Sequence, residues 1–253
     1  MKVPKYKNSE EYREQFKDLD NVCFLPHERY RIGMRERHVV QYPLARMIAR
    51  GDLSKKRIFP TFLPGSTLVL CNLRPKVNAK RNVRPDILAF SANADILMIE
   101  CKIKGKNEDW PRAINRLVKA AEQLVGYAQR LKRFARKSVK NPVDTWSQLH
   151  YAVYTKIHEF PCFGLYLSDA LTLKTSQQQE TWIKKINLSL SKGKIKYGLA
   201  FNAQPDRAIP GYQGISIDCL RKEIKGIRGH KLGHLLLFSV DHKKDDFSIP
   251  GRV

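Results

Sequence analysis

The tightest constraint on this chain is a pair of apolar runs, residues 86–90 (DILAF) and 96–103 (ILMIECKI), joined by Ser91, Ala92, Asn93, Ala94 and Asp95. Apolar runs of this length bounded by polar residues read as strands, and so short a small or polar connection makes them antiparallel neighbours. Successive side chains on a strand alternate between faces. Ile96, Met98, Glu100 and Lys102 therefore share one face of the second strand, and Leu97, Ile99, Cys101 and Ile103 share the other. The second face is apolar throughout and has to be buried. The first ends in a carboxylate beside an ammonium, and Asp86 enters from the start of the neighbouring strand.

The remaining periodicities surround this hairpin with helices and further strands. Residues 9–17 form a short helix with Ser9 as its N-cap, and residues 28–40 a second, continued over 44–49 beyond Pro43. That proline is expected to break or kink the run, which stops at Gly51. Residues 67–70 read as another strand, as do 163–167, 196–201 and 234–240, while 177–190 form a helix around Trp182, Ile183 and Ile186. A long helix over 111–137 follows the hairpin, with Asn107 or Asp109 as its cap and Pro111 in its first turn. Its apolar stripe includes Ile114, Leu117, Ala121, Leu124, Ala128 and Leu131, and Arg116, Lys119, Gln123, Tyr127 and Arg130 share another side. The expected class is α/β: a mixed central sheet flanked by helices. The chain reads as a single domain over 1–253, with a core at about 25–170 and a C-terminal elaboration at about 171–253.

Charge narrows the partners. Lys and Arg number 47 against 24 Asp and Glu, a formal balance of +23 that points to a polyanion tracked by a folded basic surface. Anionic membrane could also attract such a surface, but no run approaches the roughly 18–20 apolar residues needed for a span. The first residues lack the apolar core of a signal peptide. The five cysteines are scattered without a CxxC spacing or clustered histidines, so they read as reduced thiols and not as a zinc site or a disulfide framework. Together these features predict a cytoplasmic protein that meets nucleic acid and not membrane.

Two carboxylates can hold a hard divalent cation through oxygen while a nearby lysine orients water and offsets developing negative charge, which is what phosphodiester hydrolysis needs. Pro85-Asp86, followed fourteen residues later by Glu100-Cys101-Lys102, resembles the paired motifs of the PD-(D/E)XK nuclease superfamily. The intervening hairpin fits that family too. Gln123-Leu124-Val125-Gly126-Tyr127 resembles the QxxxY motif of its RecB-type branch. The resemblance implies a restriction-endonuclease-like core and a Mg²⁺ ion, replaceable by Mn²⁺, on Asp86, Glu100 and the Cys101 carbonyl. It further implies that Lys102 positions the attacking water, that Gln123 and Tyr127 face the site, and that cleavage leaves a 5′-phosphate. An acidic residue on the helix preceding the sheet completes metal binding in the family; Glu36 is favoured over Glu28 for that role. The family's upstream histidine has two candidates, His27 and His38, neither in a convincing pattern.

The motif letters alone do not select the site. Pro205-Asp206 with Glu223-Ile224-Lys225 satisfies the same pattern, and Asp241-His242-Lys243 is a third triplet. Asp206 lies in loop chemistry and Glu223 near a polar helix end, and only ten residues follow Lys243, too few for a covering helix. The first copy alone has strand, turn, strand and helix. The expected activity is DNA cleavage in preference to RNA, endonucleolytic rather than exonucleolytic, with Arg116, Lys119 and Arg130 on the nucleic acid. Without a GxxxxGK[ST] segment, any motor would be a separate helicase or recombinase partner, and a homodimer would suit duplex cutting. The alternative is a catalytically silent nucleic-acid-binding module or an accessory subunit of a repair, defence or transposition complex.

Overall fold

The computed structural model describes residues 22–23, 36–71, 85–103, 109–137, 171, 173–202 and 235–252. Among these residues, seven strands form one mixed sheet in sequential order: β1 (Val22–Cys23), β2 (Thr67–Cys71), β3 (Ile87–Ser91), β4 (Ile96–Lys102), β5 (Lys196–Asn202), β6 (Leu235–Asp241) and β7 (Asp246–Arg252). β3 pairs antiparallel with both β2 and β4; β4–β5 and β5–β6 are parallel; β6–β7 is again antiparallel. The anticipated hairpin is β3–β4, in the register Ile87↔Ile99 to Phe90↔Ile96. Its turn is set by Ala94 in the left-handed region (φ 64) and by the Asp95 amide, which donates to Ser91 Oγ at 3.0 Å.

Helices cover both faces, as the apolar alternation requires. Leu88, Phe90, Ile96, Met98, Leu199 and Leu237 pack under α3 (Trp110–Lys137) and α4 (Ser176–Lys192). Ile87, Ala89, Leu97, Ile99, Cys101, Ala200 and Phe238 pack instead under α1 (Tyr42–Ala49). Asp109, at the head of α3, accepts from the Arg112 amide at 2.8 Å and so is its cap. The α4 cap is a complete capping box: Thr175 accepts from the Gln178 amide and Gln178 accepts from the Thr175 amide.

The break-or-kink expectation at Pro43 is narrowed in α1 to a change of helix type without a break. The helical run does not break near Pro43, because a π-helix (Arg37–Gln41) leads directly into α1 with the proline in its first turn, where a missing amide costs little. The run ends at Arg50, and Gly51 then takes a left-handed φ of 84° with Pro64 packed against it; a Cβ there would lie 2.3 Å from Pro64 Cδ. Three elements were not anticipated: the two-residue strand β1, the short helix α2 (Asp52–Lys55) and the strand β7. The expected helix over 9–17, the first part of that over 28–40 and the strand over 163–167 lie outside the described residues, as do Glu28, His27, Asp206 and Glu223.

Candidate active site

The site stands at the open end of the β3–β4 hairpin. Continuing the register one step beyond Ile87↔Ile99 sets Asp86 opposite Glu100, on the face that α3 covers. Asp86 is fixed from two sides. Its Oδ2 accepts from the Cys101 amide at 2.7 Å, and its carbonyl accepts from Gln41 Nε2 at the end of the π-helix. π-type turns recur at functional sites because they re-aim single side chains.

Glu100 is 4% exposed, and Lys102 Nζ donates to its Oε1 and to the Cys101 carbonyl, each at 2.8 Å. Glu100 Oε2 is buried with no hydrogen-bond partner among the described residues. Glu36 reaches in from the head of the π-helix, its Oε2 accepting from the Ile103 amide at 3.2 Å. Arg116 of α3 donates to the Ile103 carbonyl. Glu36 therefore joins Asp86, Glu100 and Lys102 about the end of β4.

The electrostatics record how crowded this end is. Burial first, then Asp86, pushes the Glu100 carboxyl up to about 8 against the opposing pull of Lys102. Burial also raises Glu36, with Lys102 opposing and Asp86 adding to the rise. Burial alone would lower Lys102, but Glu100 and then Asp86 overcome it and hold the ammonium above its ordinary value. Burial, then the charges of Glu100 and Asp86, pushes the Tyr127 hydroxyl up to about 12, so α3 brings that tyrosine within the field of the site. The Cys101 thiol, fully buried on the opposite sheet face, is raised mainly by burial; only its backbone belongs to the site.

The residues singled out from sequence separate accordingly. Asp86, Glu100, Cys101, Lys102, Glu36 and Tyr127 are brought together. Arg116 lies half-buried against the strand end, locking Ile103, and so is not the outward-facing contact its place beside Lys119 suggested. Gln123 and Lys119 are exposed on α3, and Arg130 is half-buried near Tyr127, whose pKa it lowers. Gln41 was missed. It is 1% exposed among apolar neighbours, and a lone amide on a buried helix face was the only available signal.

Asp86, Glu100 and the Cys101 carbonyl offer oxygen alone, the donor chemistry of a hard divalent cation, and Glu100 Oε2 is the kind of orphaned buried acceptor that such an ion satisfies. Among the described residues no group of three His, Cys, Asp or Glu side chains is arranged to hold a metal ion. No described helix is long and apolar enough to cross a membrane. The chain matches no model of a known protein family, no curated protein and no solved structure.

Proposed function

We propose that this protein is a Mg²⁺-dependent nuclease of the PD-(D/E)XK type, cleaving DNA in preference to RNA. The observation that carries the reading is the register of β3 and β4, which sets Asp86 opposite Glu100 and leaves Lys102 on Glu100 and the Cys101 carbonyl. The sheet order gives further support: an antiparallel hairpin, a connection that carries both α3 and α4, then the parallel strands β5 and β6 are compatible with a restriction-endonuclease-like core.

In this reading Asp86, Glu100 and the Cys101 carbonyl hold Mg²⁺, with Glu36 available to its water shell. When bound, Mg²⁺ supplies Lewis-acid stabilisation of the charge that builds on phosphate. Lys102 orients the attacking water and offsets that charge. Tyr127, on the helix over the site, borders the reacting phosphate, and Gln123 one turn earlier meets the adjoining nucleotide. Lys119 and Arg130 neutralise the flanking phosphates, whereas Arg116 keeps the end of β4 in place through Ile103. The net charge of +23 supplies the long-range attraction for a polyanion, so binding should weaken steeply with salt.

The test incubates the protein with single-stranded, duplex and branched DNA and with RNA, in Mg²⁺ or EDTA, beside Asp86→Ala. Cleavage should require Mg²⁺ and fall by about a thousandfold or more in the variant, a loss of roughly 4 kcal/mol of transition-state stabilisation. Equal cleavage by the variant and the parent would remove the site assignment.

A further inference from the structure

The two oxygens that Lys102 grips are two of those assigned above to the cation. Nζ lies 2.8 Å from both Glu100 Oε1 and the Cys101 carbonyl, so one point in space is shared by both acceptors. A Mg²⁺ ion bonded to that pair would sit about 2.0–2.1 Å from each, inside the volume the ammonium fills. Two cations at such separation also repel strongly in a partly desolvated site, and the Lys102 side chain is only 20% exposed.

We infer that Lys102 and the divalent cation compete for one seat, so that cation binding releases Lys102 from Glu100 and the Cys101 carbonyl toward the substrate side. This inference rests on the nuclease reading and adds a regulatory step to it: the lysine becomes available for catalysis only once the ion has arrived. Until then Lys102 serves as the site's own counter-ion, holding together the carboxylates of Asp86, Glu100 and Glu36. The charges make the exchange reasonable. With all three carboxylates ionised, Asp86, Glu100 and Glu36 outnumber the two cations beside them, Lys102 and Arg116, and a divalent ion can meet that excess while the lysine moves outward.

Two measurements on the full chain, both without nucleic acid, decide the matter. The first labels the parent with an amine-acylating reagent, with and without saturating Mg²⁺, and reads Lys102 by peptide mass spectrometry against exposed Lys119 as the reference. Lys102 should be acylated about tenfold faster with Mg²⁺, because it leaves a buried, doubly hydrogen-bonded position, while Lys119 is unchanged. The second titrates Mg²⁺ calorimetrically into parent and Lys102→Met, whose fold is checked by circular dichroism. The variant should bind about tenfold tighter, since its seat is vacant of the competing ammonium. Unchanged labelling of Lys102 in the Mg²⁺-bound parent would overturn the exchange, placing the ion on Glu100 Oε2 and Asp86 with the lysine left in position. Equal or weaker Mg²⁺ binding by Lys102→Met would overturn it as well. Absence of Mg²⁺ binding by either chain would defeat the metal reading itself, and the exchange with it.

Discussion

Two hairpins of the same sheet carry an acidic residue, a spacer and a lysine at a strand end, and they treat those charges in opposite ways. At the end of β6, Asp241 Oδ1 accepts from the backbone amides of Lys243 and Lys244, both at 3.2 Å, which makes it a turn cap. Next to it, Asp245 pairs with Arg46 at 2.7 Å and with Arg50, and Asp246 pairs with Lys56 at 2.8 Å. Burial would raise Asp245, but the two arginines overcome it and lower its pKa; Lys56 lowers that of Asp246. At the end of β4 the result is reversed, with Glu100 and Glu36 both raised. Surface networks satisfy their carboxylates, whereas the β3–β4 end collects more buried carboxylate than its cations can satisfy. Such a concentration costs stability, and a fold tolerates it where a ligand or a reaction uses it.

The largest effect that tests this contrast is expected at Glu100. Glu100→Gln keeps the shape and removes the charge, so cleavage should fall by about a thousandfold or more. The same change should raise stability by about 1–3 kcal/mol at alkaline pH, as a buried charge gives way to a neutral group. The pH window follows from linkage. An unfolded glutamate titrates near 4.5 and folded Glu100 near 8, so the folded chain holds the extra proton between those values and loses stability as pH rises through them. The gain from Glu100→Gln should therefore be full above about 8, shrink across the window and vanish below about 4.5. Denaturant titrations across pH measure it. A variant less stable than the parent at alkaline pH would make Glu100 a satisfied ion pair, and the two hairpins would cease to differ.

An intermediate effect is expected at Asp245. Its φ of 51° lies in the left-handed region, where asparagine is tolerated and alanine is strained, so Asp245→Asn isolates the charge. The side chain is 36% exposed, and solvent screening holds the expected loss to about 0.5–1 kcal/mol, with cleavage unchanged. The sign with pH is opposite to that at Glu100. Asp245 has a lowered folded pKa, so its contribution is present above the unfolded value of 3.8 and is lost as pH falls through the folded one. Parent and Asp245→Asn should converge in stability in strong acid and separate at neutral pH. A loss of cleavage in this variant would show that the network supports the site and is more than a clasp between α1 and the β6–β7 turn.

The β3–β4 hairpin and α3 were legible in the sequence because their signals are local: alternation over a few residues, a small turn, a capped amphipathic run. The β6–β7 clasp was not, since Arg46 and Arg50 meet Asp245 across separations of 199 and 195 residues. Strand β7 was hidden for a different reason. Its sequence, DFSIPGR, reads as loop, yet among the described strands β7 is the edge of the sheet, where a proline need not interrupt a ladder on both sides. Glu36 could be named from its place before the sheet, because a helix head can deliver a carboxylate to a strand end. The inward course of Arg116 could not be. Its spacing groups it with exposed Lys119, and only the packing of α3 against the end of β4 brings it to the Ile103 carbonyl.

The smallest effect is expected at Asp241, and it bears most directly on which triplet is the site. Asp241-His242-Lys243 matches the same letters as Glu100-Cys101-Lys102 and also follows an apolar strand. The chemistry around it differs: the Asp241 carboxylate is occupied by two backbone amides, and its ion pair with Lys244 is long, at 3.6 Å. Asp241→Ala removes both turn hydrogen bonds, which are partly replaced by water, so the expected cost is about 0.5 kcal/mol. Cleavage at saturating Mg²⁺ should match the parent within twofold or so, because the residue touches none of the groups around Asp86. The pair Asp86→Ala and Asp241→Ala, assayed together for product and for unfolding midpoint, separates a reactive carboxylate from a structural one. A steep loss of cleavage in Asp241→Ala with a normal midpoint would move the reaction to the β6 end, and the unsatisfied charge at Glu100 would then need another explanation.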